Sequence, residues 1–95
     1  MSIEDKRNLL NRYVSLVSAT TNKRTHVSDS IRSLRKEKYP KDNLKETITT
    51  LKESRRTLDI MRSKAINYQK FINTDTSTAL LLLIELENEY KELKF

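Results

Sequence analysis

Glycine, cysteine and tryptophan are absent from this chain, and proline occurs once. Tight turns depend on residues that tolerate positive φ, chiefly glycine, so a chain without it has few ways to reverse direction sharply and often. Sheets and barrels are disfavoured, and long helices with two or three connections remain. No glycine-rich phosphate loop can form. Disulfides, thiol catalysis and cysteine-bound zinc are excluded as well. His26 is the single histidine, so common transition-metal sites lack ligands, and a serine triad would have one candidate base and no nucleophile elbow. Beside the polar run Thr20–Thr25, His26 reads as a surface residue. Catalysis, a metal and a cofactor are not expected.

Long hydrophobic runs are missing too. The longest, Ala79 to Ile84, is six residues, against the roughly 20 that a membrane span needs. The start, Met-Ser-Ile-Glu-Asp, lacks the basic-then-apolar order of a secretory signal. A cytoplasmic chain without a membrane span is expected.

What is present is charge. Charged residues make up 34% of the 95 residues and apolar ones 36%, so the core must be a narrow stripe. The expectation is a single helical domain over residues 1–95, near the lower size for a self-sufficient core. The net charge of +6 is unevenly spread. Residues 1–72 carry 17 Lys and Arg against 8 Asp and Glu, a balance of +9, whereas residues 73–95 carry 2 against 5, a balance of −3. Opposite signs favour packing the acidic end against the basic body and leave basic surface for an acidic partner.

Ser2 followed by Asp5 resembles a capping box and opens a first helix over about residues 3–38. Its apolar stripe runs through Leu10, Tyr13, Val17, Thr20, Arg24, Val27, Ile31 and Leu34 in alternating steps of three and four, with Leu9 and Leu16 widening its start. The polar, β-branched run Thr20–Thr25 is the weak stretch, and a break there would make a four-helix bundle. Tyr39-Pro40 stops the helix, and Asp42 or Asn43 caps a second helix over 44–72. The capping residues 73–78 then lead to a third helix over 79–94. The fold class is an all-α, three-helix antiparallel bundle with a long helical hairpin.

The third helix is the shortest, at about 24 Å against roughly 54 and 43 Å for the others, so it should run out near Leu58. The hairpin beyond that point lacks a cover, and most helix stability comes from tertiary packing. Val27, Ile31, Leu34, Ile48 and Leu51 are therefore candidate contact residues for a partner. Leu80, Leu81 and Leu82 form a second candidate, because Leu80–Ile84 is apolar all round its turn. Either neighbouring apolar residues close over that turn, or it is an interface.

Arg32, Arg35, Lys36, Lys38, Lys41 and Lys45 gather at the hairpin tip beside Glu37 and Asp42. Such a tip suits phosphate or an acidic helix, though a solvated charged tip is its ordinary meaning. Arg24, Arg55 and Arg62 sit on or beside the seam near mid-hairpin. Each must find a carboxylate or reach water. Structural pairing with Asp59 and the acids of the third helix is the ordinary reading, and an anion pocket is the sharper one.

Leu51-Lys52-Glu53-Ser54-Arg55, after a long first helix, is loosely similar to tubulin-binding cofactor A, a three-helix tubulin chaperone. In size and charge the chain resembles bacteriocin immunity proteins, which are small cationic four-helix proteins. The basic charge and the leucine-rich third helix depart from the first likeness, and no residue role is carried over from either. The functional expectation is a non-catalytic protein–protein interaction module, self-associating as a homo-oligomer or serving as a small subunit, adaptor or chaperone-like factor. One alternative is a basic nucleic-acid-binding protein using the Arg32–Lys45 tip, and another is a small inhibitor or immunity-type protein.

Overall fold

The structure, a computed structural model, describes residues 3–36 and 44–93. Three long helices and a one-turn helix account for nearly all of them: α1 (Ile3–Arg35), α2 (Leu44–Tyr68), α3 (Phe71–Thr74) and α4 (Thr76–Glu92). The all-α antiparallel bundle with a long hairpin is the observed architecture. The Tyr39-Pro40 stop, the Asp42/Asn43 cap, the Ser2 cap and the basic residues Lys38 and Lys41 lie outside the described residues.

Continuity of α1 across Thr20–Thr25 removes the four-helix alternative. The threonine hydroxyls that could have diverted the backbone bond back along the helix instead. Thr20 Oγ1 donates to Val17 O at 2.9 Å, Thr21 Oγ1 to the same oxygen at 2.8 Å, and Thr25 Oγ1 to Thr21 O at 3.1 Å. Thr20 thereby meets its polar requirement locally and is fully buried.

The second helix ends four residues short of the expected Ile72. At Gln69 and Lys70 the backbone tightens, with Lys70 N–H bonding Asn67 O at 3.4 Å and Ile72 N–H bonding Gln69 O at 3.1 Å. These are three-residue spacings of the 3₁₀ kind. Lys70 keeps helical angles (φ −60°, ψ −27°), so the chain bends here without reversing. The bend buries Ile72 and sets the Phe71 ring 6.4 Å from that of Tyr68. Between α3 and α4 the chain turns at Asp75, which leaves the helical region (φ −149°, ψ 81°). Its carboxylate accepts from Thr78 N–H at 3.2 Å and from Thr78 Oγ1 at 2.6 Å, capping α4. The third long helix therefore starts at Thr76, three residues before the expected Ala79. None of the described residues has a positive φ, so this turn needs no glycine.

Two apolar clusters fill the seam. At the base, Leu9, Tyr13 and Leu16 of α1 meet Met61 and Ala65 of α2, Ile72, and Ala79, Leu83 and Leu86 of α4. Farther out, Val27 and Ile31 meet Leu51 and Leu58, edged by Leu34, Ile48 and the end of α4 at Tyr90 and Leu93. Leu9 is 4% exposed and Leu10 41%, so the N-terminal stripe is rotated from the expected register. The cause is α4, which covers the Leu9 side and leaves the Leu10 side open. Tyr13 is 0% exposed, and its hydroxyl donates to Ala79 O in the first turn of α4. Burial pushes the Tyr13 phenol up to about 12.

At 1.5 Å per residue, α1 is about 50 Å long, α2 about 38 Å and α4 about 26 Å. The molecule measures 58 × 17 × 16 Å, and its radius of gyration is 16.7 Å, against about 12 Å for a compact chain of this length. It is a rod with a three-helix base and a two-helix arm.

Candidate interaction surface

The α1/α2 hairpin has two flanks, and α4 occupies one of them. Arg12 pairs with Glu87, and Lys23 Nζ sits 5.0 Å from the centre of the Tyr90 ring. On the other flank, polar side chains of α1 and α2 meet each other. Arg62 Nε donates to Thr21 Oγ1 at 3.0 Å, Arg24 pairs with Asp59, and Arg55 Nη1 donates to Ser28 Oγ at 3.4 Å. Helical periodicity explains the separation, since Lys23 and Ser28 lie about 140° apart around α1.

On the open flank the two groups of basic residues expected from sequence partly merge. Arg24, Arg32, Arg35 and Lys36 of α1 and Arg55 of α2 line one concavity of about 480 Å³, with Ser28 and Ile31 between them. Positions 24, 28, 32 and 35 are separated by steps of four and three, which stack them on one face of α1. Arg62 belongs to the same edge, one turn nearer the base than Asp59, although it does not line the concavity. Lys45 is exposed at the start of α2 and also lies apart from it.

The expected pairing of the mid-hairpin arginines holds for one of three. Asp59 takes Arg24, but the acids of α4 do not reach Arg55 or Arg62, because α4 lies on the opposite flank and its Glu87 meets Arg12. Among the described residues, Arg55 and Arg62 are satisfied by hydroxyls and not by carboxylates. Arg55 is half-buried at the edge of the seam and Arg62 is exposed.

The apolar candidates divide sharply. Val27, Ile31 and Leu51 are buried in the seam, with Leu34 and Ile48 half-buried at its rim. Leu80 and Leu82 are half-buried, Leu81 is 64% exposed and Ile84 is 41% exposed. Leu81 and Ile84 point away from the Ala79–Leu83–Leu86 side that faces the hairpin, so they lie on the outward face of α4. Sequence reasoning missed a further set, Leu10, Val14 and Ile66, all exposed near the base of the open flank. Ile66 stands eleven residues beyond Arg55, close to a whole number of turns, and that spacing was the available signal. Beside them, Ile3, Leu10 and Ile72 line a shallow concavity of about 400 Å³ together with the basic Lys6 and Arg7.

From base to tip, then, the exposed apolar residues of the open flank give way to its arginines, while Lys6 and Arg7 make the base cationic as well. No group of three or more potential metal ligands occurs among the described residues, and no described helix is long and apolar enough to cross a membrane. No family model matches the chain, and neither does any curated protein or solved structure.

Proposed function

We propose that this chain is a non-catalytic helical interaction module whose open α1/α2 flank is covered by another protein surface. The observation that carries the reading is the unequal cover of the hairpin. One flank has α4, and the other carries exposed Leu10, Val14 and Ile66 beside a run of arginines. Of that run, Arg24 alone has a carboxylate partner among the described residues. Exposed apolar groups close to desolvatable charges mark surfaces that bind other proteins. A cytoplasmic setting suits such a module.

Photo-crosslinking in the cell tests this reading. A crosslinking side chain at Ser28 or Ile66 should give discrete protein adducts, of a second copy or of another polypeptide. The same group at Glu53 or Thr57, exposed on α2 away from both the open flank and the outward face of α4, should not. Adducts formed equally at all four positions, or at none, count against the reading.

A second reading rests on the basic concavity. Five cations around one hollow also fit the phosphates of a nucleic acid. If all five neutralise phosphates, binding should weaken by about 500-fold between 50 and 200 mM salt. Binding to protein through the apolar half of the flank should change far less.

A further inference from the structure

The outward face of α4 mirrors the open flank of the hairpin. At 3.6 residues per turn, Leu81, Glu85 and Glu92 fall within about 40° of one another on α4, and Ile66, Arg62 and Arg55 fall within about 40° of one another on α2. All three α4 residues are exposed, as are Ile66 and Arg62, and Arg55 is half-buried. Both rows begin with an apolar residue at the base and continue toward the tip with charge, negative on α4 and positive on α2. Their spacings agree. Leu81 is followed by acids four and eleven residues on, and Ile66 is preceded by arginines four and eleven residues back, so the charges sit about 6 and 16 Å from the apolar residue in each row. Because α2 and α4 run antiparallel, the rows align when two molecules lie side by side with the same polarity.

We propose that copies of this chain associate head-to-tail, the outward face of α4 in one copy seated on the open α1/α2 flank of the next. The inference deepens the interaction-module reading and rests on it. Leu81 and Ile84 of one copy cover Ile66, Leu10 and Val14 of its neighbour, while Glu85 meets Arg62 and Glu92 meets Arg55. The acid within the arginine row, Asp59, is held by Arg24 and does not oppose the docking carboxylates. Exposed ion pairs contribute little energy alone. Here they fix polarity and register, and apolar contact supplies most of the attraction. Because the two surfaces differ, the contact is heterologous and repeats from copy to copy until a ring closes or a filament grows. A parallel pairing of two identical flanks is disfavoured, since it would oppose arginines to arginines.

Charge exchange tests the pairing. Arg62→Glu and Glu85→Arg change exposed residues, so each variant should keep its helicity by circular dichroism. Each alone should lower association tenfold or more, because one like-charged pair replaces one attractive pair at every junction. An equal mixture of the two should reassociate. At one junction the introduced glutamate of the first variant meets the introduced arginine of the second, and at the next the unaltered Arg62 meets the unaltered Glu85. The double variant in one chain should also reassociate. Single variants that associate as the unaltered chain does would overturn this interface while leaving the interaction reading standing, as would a mixture that stays dissociated. An unaltered chain that is monomeric at every concentration would overturn self-association outright, and the crosslinking then decides separately whether another protein takes the flank.

Discussion

Two polar side chains fix where α4 begins. Asp75 caps its first turn through Thr78, and Tyr13 grips the same turn by donating to Ala79 O. Tyr13→Phe should cost about 1 kcal/mol in chemical denaturation, the usual worth of one such hydrogen bond. It should also change the alkaline limb of the stability curve. The buried phenol holds its proton up to about 12, against 10.0 for a free tyrosine. Its stabilising contribution is complete below pH 10 and is lost as pH rises from there to about 12. The phenylalanine variant should fall less steeply over that interval. Asp75 works in the opposite sense. The two Thr78 hydrogen bonds lower its carboxyl below 3.8, so its contribution is present above that pH and is lost as pH falls through the lowered value. Asp75→Asn should keep the cap and lose this acid dependence, whereas Asp75→Ala should lower the thermal midpoint. Residues 73–78 read as capping residues from sequence alone, which made a cap in this segment legible. Tyr13 was legible only as a seam residue, because a carbonyl acceptor on a distant helix leaves no mark in sequence.

At the scale of elements, the base and the arm differ in what holds them. Three helices enclose the base, whereas Val27, Ile31, Leu51 and Leu58 carry the arm between two. Leu58 joins the arm cluster close to where α4 ends, so its loss should be felt most there. Leu58→Ala should cost about 2–5 kcal/mol, in the usual range for a fully buried leucine. In hydrogen exchange, amides around Val27–Ile31 and Leu51 should open before those around Tyr13 and Leu83. Uniform loss of protection across both regions would contradict this division. The helix lengths and antiparallel order were legible because glycine is absent and the apolar steps keep one register. The unbroken α1 was not settled by propensity, since back-bonding by Thr20, Thr21 and Thr25 decides it. The bend at Gln69–Lys70 left no signal either. Nothing in those side chains opposes a helix, and the bend follows from bringing Ile72 into the base core. The open flank was legible in part. Its arginines stood out, but the exposure of Leu10, Val14 and Ile66 depends on which side α4 chooses.

At the scale of the molecule, a rod 58 Å long is covered by a helix of about half that length along one side only. Charge follows the same asymmetry, with the acids concentrated in α4 and the open flank basic. A chain whose acidic outer face matches its own basic flank carries both halves of a junction. In the proposed junction this flank is covered in solution by the α4 of another copy. Sedimentation velocity over a concentration series from micromolar to millimolar tests it most directly. The mass should rise with concentration from 11.2 kDa through successive multiples, and Arg62→Glu should suppress the rise. A single 11.2 kDa species throughout would contradict the claim.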